Sequence, residues 1–180
     1  MKKVLLLTGA LLLVAAGAMF VASCSSDDEI ETKSYVSPIE DGDEYAAIAK
    51  FFNSELPCNT GDFQTSDFFI NTQEYNIQKN VCCVINDKKG LEGIYYGEKV
   101  LPEIDFEKYT LIIGVERMPH LSYKLEKKEL IICNGYLLFN LYVSEPKDRY
   151  HPTAILSMFY WGLYPKVEDK EIVVKTIILQ

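Results

Sequence analysis

The sequence predicts an α+β fold, mostly antiparallel β, with the sheet rolled or packed as a sandwich, one main N-terminal helix and a short second helix. Three observations carry this reading. After residue 108 the chain holds five strand-length segments rich in β-branched and aromatic residues, separated by short turn-like stretches. Two of these segments flank Asn134-Gly135, the strongest short hairpin signal. Ahead of them lies one segment with a clear helical period, long enough to cover one face of a sheet.

The chain opens on Lys2-Lys3 and an apolar run, Val4–Ala22, which leads into Val21-Ala22-Ser23-Cys24 and then Ser25-Ser26-Asp27-Asp28-Glu29. The run is close to the lower length limit of a spanning helix. Its charged start, its internal Gly9 and Gly17 and its small-residue end instead fit a cleaved signal rather than a stop-transfer segment. Residues 1–23 are therefore read as a lipoprotein signal peptide, cut before Cys24, with Cys24 carrying the lipid. Residues 24–40, polar, acidic and interrupted by Pro38, are read as a flexible acidic tether. Residues 41–180 are left as a single globular β-rich domain, of a size that folds alone.

Within that domain, Tyr45, Ile48, Ala49 and Phe52 have the i, i+3, i+4, i+7 spacing of one apolar helix face, which predicts a helix over 43–55. Asp41 or Asp43 is the expected cap, and Pro57 the stop. Residues 58–76 combine turn formers (Asn59, Gly61, Asp62) with Phe63, Phe68, Phe69 and Tyr75, too aromatic for a free loop; packing across the core is expected, the alternative being a ligand-binding patch. Val81–Ile85 is a short apolar strand. Asn86-Asp87 then caps a weak helix over 88–95, weak because it contains Gly90 and Gly93. Tyr109–Val115 is a continuous apolar run, which predicts a strand covered on both faces. Tyr123–Cys133 and Tyr136–Val143 form the hairpin, Ala154–Tyr160 a further strand, Trp161–Pro165 an aromatic corner, and Ile172–Leu179 the last strand.

Val-Ala-Ser-Cys after an apolar run resembles a bacterial lipobox, and the acidic run Ser25–Glu29 resembles the export signal of Bacteroidetes-type lipoproteins. That resemblance implies display on the outer face of the outer membrane. The run Pro102–Gly114, with its Asp105-Phe106-x-Lys108-Tyr109-Thr110-Leu111-Ile112-x-Gly114 pattern, is similar to a motif of small uncharacterised Bacteroidetes-type surface lipoproteins. More faintly it resembles the small β domains of protease-associated lipoproteins. The resemblance implies a fold and a location, and carries over no catalytic residue.

The formal net charge is −8, and the leader holds two lysines and no acid, so the processed chain is more acidic still. Such a chain lacks the basic face that nucleic acid requires, and is not drawn to anionic membranes by charge. Its implied contact with the membrane is the N-terminal lipid. Removing Cys24 from the five cysteines leaves Cys58, Cys82, Cys83 and Cys133 in a disulfide-permissive compartment. Cys82 and Cys83, adjacent on a strand, point to opposite faces, one toward the core and one outward. The favoured bridge joins Cys58 to Cys82 or Cys83; the alternative is that all four are small buried hydrophobes.

Little points to chemistry. His120 and His151 each neighbour a proline and read as turn residues, with no metal-ligand spacing around them. There is no Gly-x-Ser-x-Gly elbow and no phosphate loop. The acidic groups Asp27-Asp28-Glu29 and Asp41, Asp43, Glu44 lack EF-hand spacing. No metal or cofactor is implied. The most unusual local feature is aromatic. Tyr160, Trp161 and Tyr164 either fill the core, the expected outcome, or form a stacking platform for a sugar or peptide chain. The expectation is a non-enzymatic, lipid-anchored envelope protein that binds a protein or glycan partner. The alternative is an extracellular hydrolase or a protease-inhibitor-like module.

Overall fold

A computed structural model describes residues 34–56, 66–68, 80–119, 122–145 and 156–179. Residues 31–180 group together as one unit. Its elements are β1 (Ser34–Val36), α1 (Asp43–Glu55), β2 (Val81–Ile85), α2 (Lys88–Ile94), β3 (Tyr109–Met118), β4 (Lys124–Ile132), β5 (Tyr136–Ser144), β6 (Leu156–Pro165) and β7 (Glu171–Leu179). They form two packed sheets, one of order β1-β4-β5-β7 and one of order β2-β3-β6.

The three-stranded sheet is a middle layer, as side-chain alternation along β3 shows. Leu111, Ile113 and Val115 join Phe159, Trp161 and Leu163 of β6 under α1, which contributes Ile48 and Phe52. Ile112 and Met118 join Met158, Tyr160 and Tyr164 against Leu137, Phe139, Leu141 and Val143 of β5. The unbroken apolar run of β3 is explained by this: both faces of the strand are covered, in an antiparallel sheet rather than a parallel one. Each large aliphatic side chain so buried contributes about 1.5–3 kcal/mol.

Helix α1 spans the expected residues and buries the expected face, but its cap differs. Gly42, at φ 95°, takes the N-cap position without a side-chain bond, while Asp43 and Glu44 sit in the first turn, where the helix dipole favours them. Helix α2 has the expected cap: the Asp87 carboxylate accepts the Gly90 N–H at 2.7 Å. Between β4 and β5 the Asn134-Gly135 turn is closed by the Cys133 N–H donating to the Tyr136 carbonyl at 3.0 Å, with Gly135 at φ 99°.

Four expectations are corrected. Residues 34–40 belong to the fold rather than to a tether: β1 pairs with β4, and the Ile39 N–H donates to the Leu163 carbonyl at 2.7 Å. Strand β6 runs on through the supposed corner to Pro165, because Gly162 is not a turn residue; the ring of Tyr164 folds over it. Strand β7 is parallel to β5. The chain leaves the four-stranded sheet after β5, crosses to the other sheet as β6, and re-enters running the same way, so the antiparallel rule for adjacent hairpin strands does not reach this pair. Finally, neither Cys82 nor Cys83 faces outward. They do point to opposite faces of β2, but each face is a core: Cys83 packs toward the helices and Cys82 toward the second sheet.

The segment Asp105–Thr110 forms and anchors the turn into β3. The Asp105 carboxylate accepts the Glu107 N–H at 3.1 Å and pairs with Lys108 at 2.6 Å, while its carbonyl accepts the Lys108 and Tyr109 N–H groups, forming the turn into β3. Phe106 packs on the helix-side core. The buried Thr110 hydroxyl donates to Asn86 Oδ1 at 2.5 Å and accepts the Val167 N–H at 3.0 Å, which ties β3 to the start of the link into β7.

Candidate functional site

The aromatic platform is core. Tyr160 and Tyr164 are 0% exposed and Trp161 is 4% exposed. The indole stacks on Phe52 at 5.1 Å and Tyr45 at 5.9 Å, and its Nε1–H donates to Asn53 Oδ1 at 2.9 Å. Lys128 of β4 lies 5.6 Å from the ring and donates to the Trp161 carbonyl at the open edge of β6. Alternation along β6 sends Tyr160 and Tyr164 the other way, to ring contacts with Phe139 at 5.7 and 6.0 Å. Tyr160 and Tyr164 therefore do not share a face with Trp161 as a stacking platform needs, and all three are buried, so they cannot be the binding surface.

Cys82, Cys83 and Cys133 are free thiols, so the expected bridge from Cys58 to Cys82 or Cys83 is not made. Cys82 and Cys83, on β2 between two cores, are partly buried, and Cys133, beside the hairpin turn, is buried, so the three serve as small apolar side chains. Cys58, Cys24, His120 and His151 lie outside the described residues. Burial pushes the Cys82 thiol up to about 12, although a hydrogen bond with Tyr160 opposes the shift, and burial raises Cys83 as well. Thiols held protonated are poor nucleophiles. A consequence for stability follows. The folded value lies above the ordinary 9.0, so the contribution of Cys82 is complete below about pH 9 and declines as pH rises toward 12. The expected loss is about 1.4 kcal/mol per pH unit above 9. Urea midpoints at pH 8 to 11 for wild type and Cys82→Ala check this: the variant should lose stability less steeply, and parallel slopes would contradict it.

Other polar groups are arranged for structure. Glu55 of α1, 6% exposed, is held by Lys99 at 2.5 Å and by the Tyr95 hydroxyl at 3.4 Å. On the outer face of the four-stranded sheet, Glu129 accepts from Tyr142 at 2.8 Å, Lys127 at 3.0 Å and Asn140 at 3.2 Å, with Lys127 5.2 Å from the Tyr142 ring. The Tyr142 hydroxyl above all, then Lys127, lowers the Glu129 pKa, so this carboxylate is a fixed anion rather than a proton donor. Among the described residues no three His, Cys, Asp or Glu side chains gather as metal ligands.

Two clefts flank the start of α1. One, of about 360 Å³, is lined by Leu91, Leu101, Ile104 and Phe106 with Glu44, Lys88, Glu103 and Asp105 at its rim. The other, of about 270 Å³, lies between Ile39, Tyr45, Tyr109 and Leu163 beside Asp41 and Asp43. The first lies just above and the second just below the lower size limit of small-molecule sites, about 300 Å³. The charged groups of the first are partly engaged, Asp105 by Lys108 and Lys88 by Glu92 at 3.7 Å.

The feature that sequence reading missed is the outer face of the β1-β4-β5-β7 sheet. Register places Tyr35, Ile131, Leu138 and Val173 side by side across four strands. Tyr35 is 69% and Val173 45% exposed, while Leu138 is half-buried and Ile131 buried. Comparison with protein-family models, with curated proteins and with solved structures finds no match.

Proposed function

We propose that the chain is a lipid-anchored cell-envelope protein, displayed at the outer-membrane surface, whose β domain is a non-enzymatic binding or adaptor module. The observation that carries the location is Val21-Ala22-Ser23-Cys24 after Lys2-Lys3 and an apolar run. With β1 starting at Ser34, the link from Cys24 to the fold is the segment 25–33, shorter than the tether first expected. Support for binding comes from the row Tyr35-Ile131-Leu138-Val173, whose ends Tyr35 and Val173 are exposed apolar side chains at the two edges of the sheet. The row is aliphatic apart from Tyr35, and the aromatic cluster Tyr160, Trp161 and Tyr164 is buried. A protein partner fits this better than a glycan.

Mass spectrometry of the mature protein tests the anchor. An acylated Cys24 as first residue is expected, together with a shift of Cys24→Ala from the membrane to the soluble fraction. An uncleaved leader, or an unmodified N-terminus, would overturn it. For the binding half, cross-linking on intact cells should capture a specific protein with wild type and lose it with Tyr35→Ser/Val173→Ser; an unchanged capture pattern would count against this surface.

A further inference from the structure

We propose that a second copy of this chain pairs with β7 edge to edge, antiparallel, with Val173 on the two-fold axis. Strand β7 ends the four-stranded sheet: among the described residues it pairs with β5 and with no other strand. Its other side therefore presents a row of backbone N–H and C=O groups with no strand partner among the described residues, along a nine-residue strand in which six residues are β-branched. Such an edge is a template for another strand unless something blocks it.

In β7 the block is Lys175, and the same lysine selects the partner. An antiparallel pairing centred on Lys175 sets the two ammonium groups opposite each other. A pairing centred on Val174 leaves Lys175 facing Val173. A shift by an odd step puts core-facing residues on the solvent face. Centred on Val173, the strand places Glu171 opposite Lys175 of the partner and Lys175 opposite the partner's Glu171, with Ile172 against Val174 on the inner face. Glu171, Val173 and Lys175 are all exposed on one face of the sheet. Neither charge has an ion-pair partner among the described residues, where the ion pairs involve other side chains. The strand thus complements itself in charge in one register and repels itself in another, which is how a heteromeric strand would be disfavoured and a second copy specified.

The consequence reaches the proposed binding surface. The row Tyr35-Ile131-Leu138-Val173 ends at β7. Pairing on Val173 joins it to the same row of the partner, giving one apolar stripe across eight strands, about 35 Å at the usual strand spacing. The edge pairing itself does not depend on the anchor or on the module's ligand.

Disulfide trapping in the full chain tests it. Directly opposed antiparallel residues have Cα atoms about 4.5–5.5 Å apart, within the range a disulfide spans. Val173→Cys, oxidised in cells and run on a non-reducing gel, should give a homodimer band. Ile178→Cys is the control: its side chain is 49% exposed, more than Val173, yet the two copies would lie about 34 Å apart in this register. Glu171→Lys or Lys175→Glu in the Val173→Cys background should each lower the yield about tenfold, and the two together should restore it. Equal trapping at 173 and 178, a cross-link to a different protein, or a yield indifferent to the charge changes would overturn the proposal.

Discussion

Gly114→Val is expected to destabilise the fold by about 3 kcal/mol, while Gly93→Ala in the same chain is neutral or stabilising. Gly114 lies on β3, level with Cys82 on one side and Tyr160 on the other. The Tyr160 ring lies across the space that a side chain would occupy, its hydroxyl 3.4 Å from the Val81 carbonyl. A Cβ at 114 would press into that ring and into the Val81 carbonyl oxygen, well inside van der Waals contact. The ring can rotate only by losing its packing on Phe139, and the carbonyl belongs to the β2–β3 ladder. Overpacking in such a place costs about 1–3 kcal/mol or more. The higher strand propensity of valine offsets at most about 1 kcal/mol of it. At Gly93, on α2, nothing lies within 4 Å of an added Cβ. There alanine removes the helix penalty of glycine, about 0.5–1 kcal/mol. Urea midpoints of the two variants should move in opposite directions; a Gly114→Val midpoint within 0.5 kcal/mol of wild type would show that the Tyr160 layer yields.

How far such residues were legible varies with how local their cause is. The period of Tyr45, Ile48, Ala49 and Phe52 and the Asn134-Gly135 turn are local signals, and α1 and the β4–β5 hairpin lie where they indicate. Sheet membership is not local. Nothing in Glu171–Leu179 announces that it will lie beside β5 in parallel, since that depends on β6 crossing between the sheets. Gly162 reads as a turn because the ring that fills its empty side, Tyr164, does so only in an extended strand. Ser34–Val36 is too short to show a period, and becomes a strand only against β4. The row Tyr35-Ile131-Leu138-Val173 gathers residues from four separate strands, so only the register reveals it. Conversely, the composition of Tyr160, Trp161 and Tyr164 suits a core and a ligand platform equally, and only the alternation of β6 between two covered faces separates the two.

The core placement of Trp161 leads to the second large effect. Trp161→Ala is expected to cost about 3–5 kcal/mol, the range for deleting a large buried aromatic. The indole is where three elements meet: α1 through Tyr45, Phe52 and Asn53, β6 through its own backbone, and β4 through Lys128. Truncation removes two stacked ring contacts, each worth about 0.5–1.5 kcal/mol beyond the area they bury, leaves a cavity beneath the helix, and deprives the Lys128 ammonium of its ring. Trp161→Phe retains a ring against Phe52 but not the Nε1–H donated to Asn53, so it should fall between wild type and alanine. The chain holds a single tryptophan, which makes wild-type fluorescence a direct reading of this site. Emission should be blue-shifted in the native state, resist acrylamide quenching, and shift to the red in one step with urea. Ready quenching of the native protein would place the indole at the surface and restore the binding platform that its burial excludes. If native emission is protected while Trp161→Ala unfolds at much lower urea, the same residue is established as the point where the helix is held to the middle sheet.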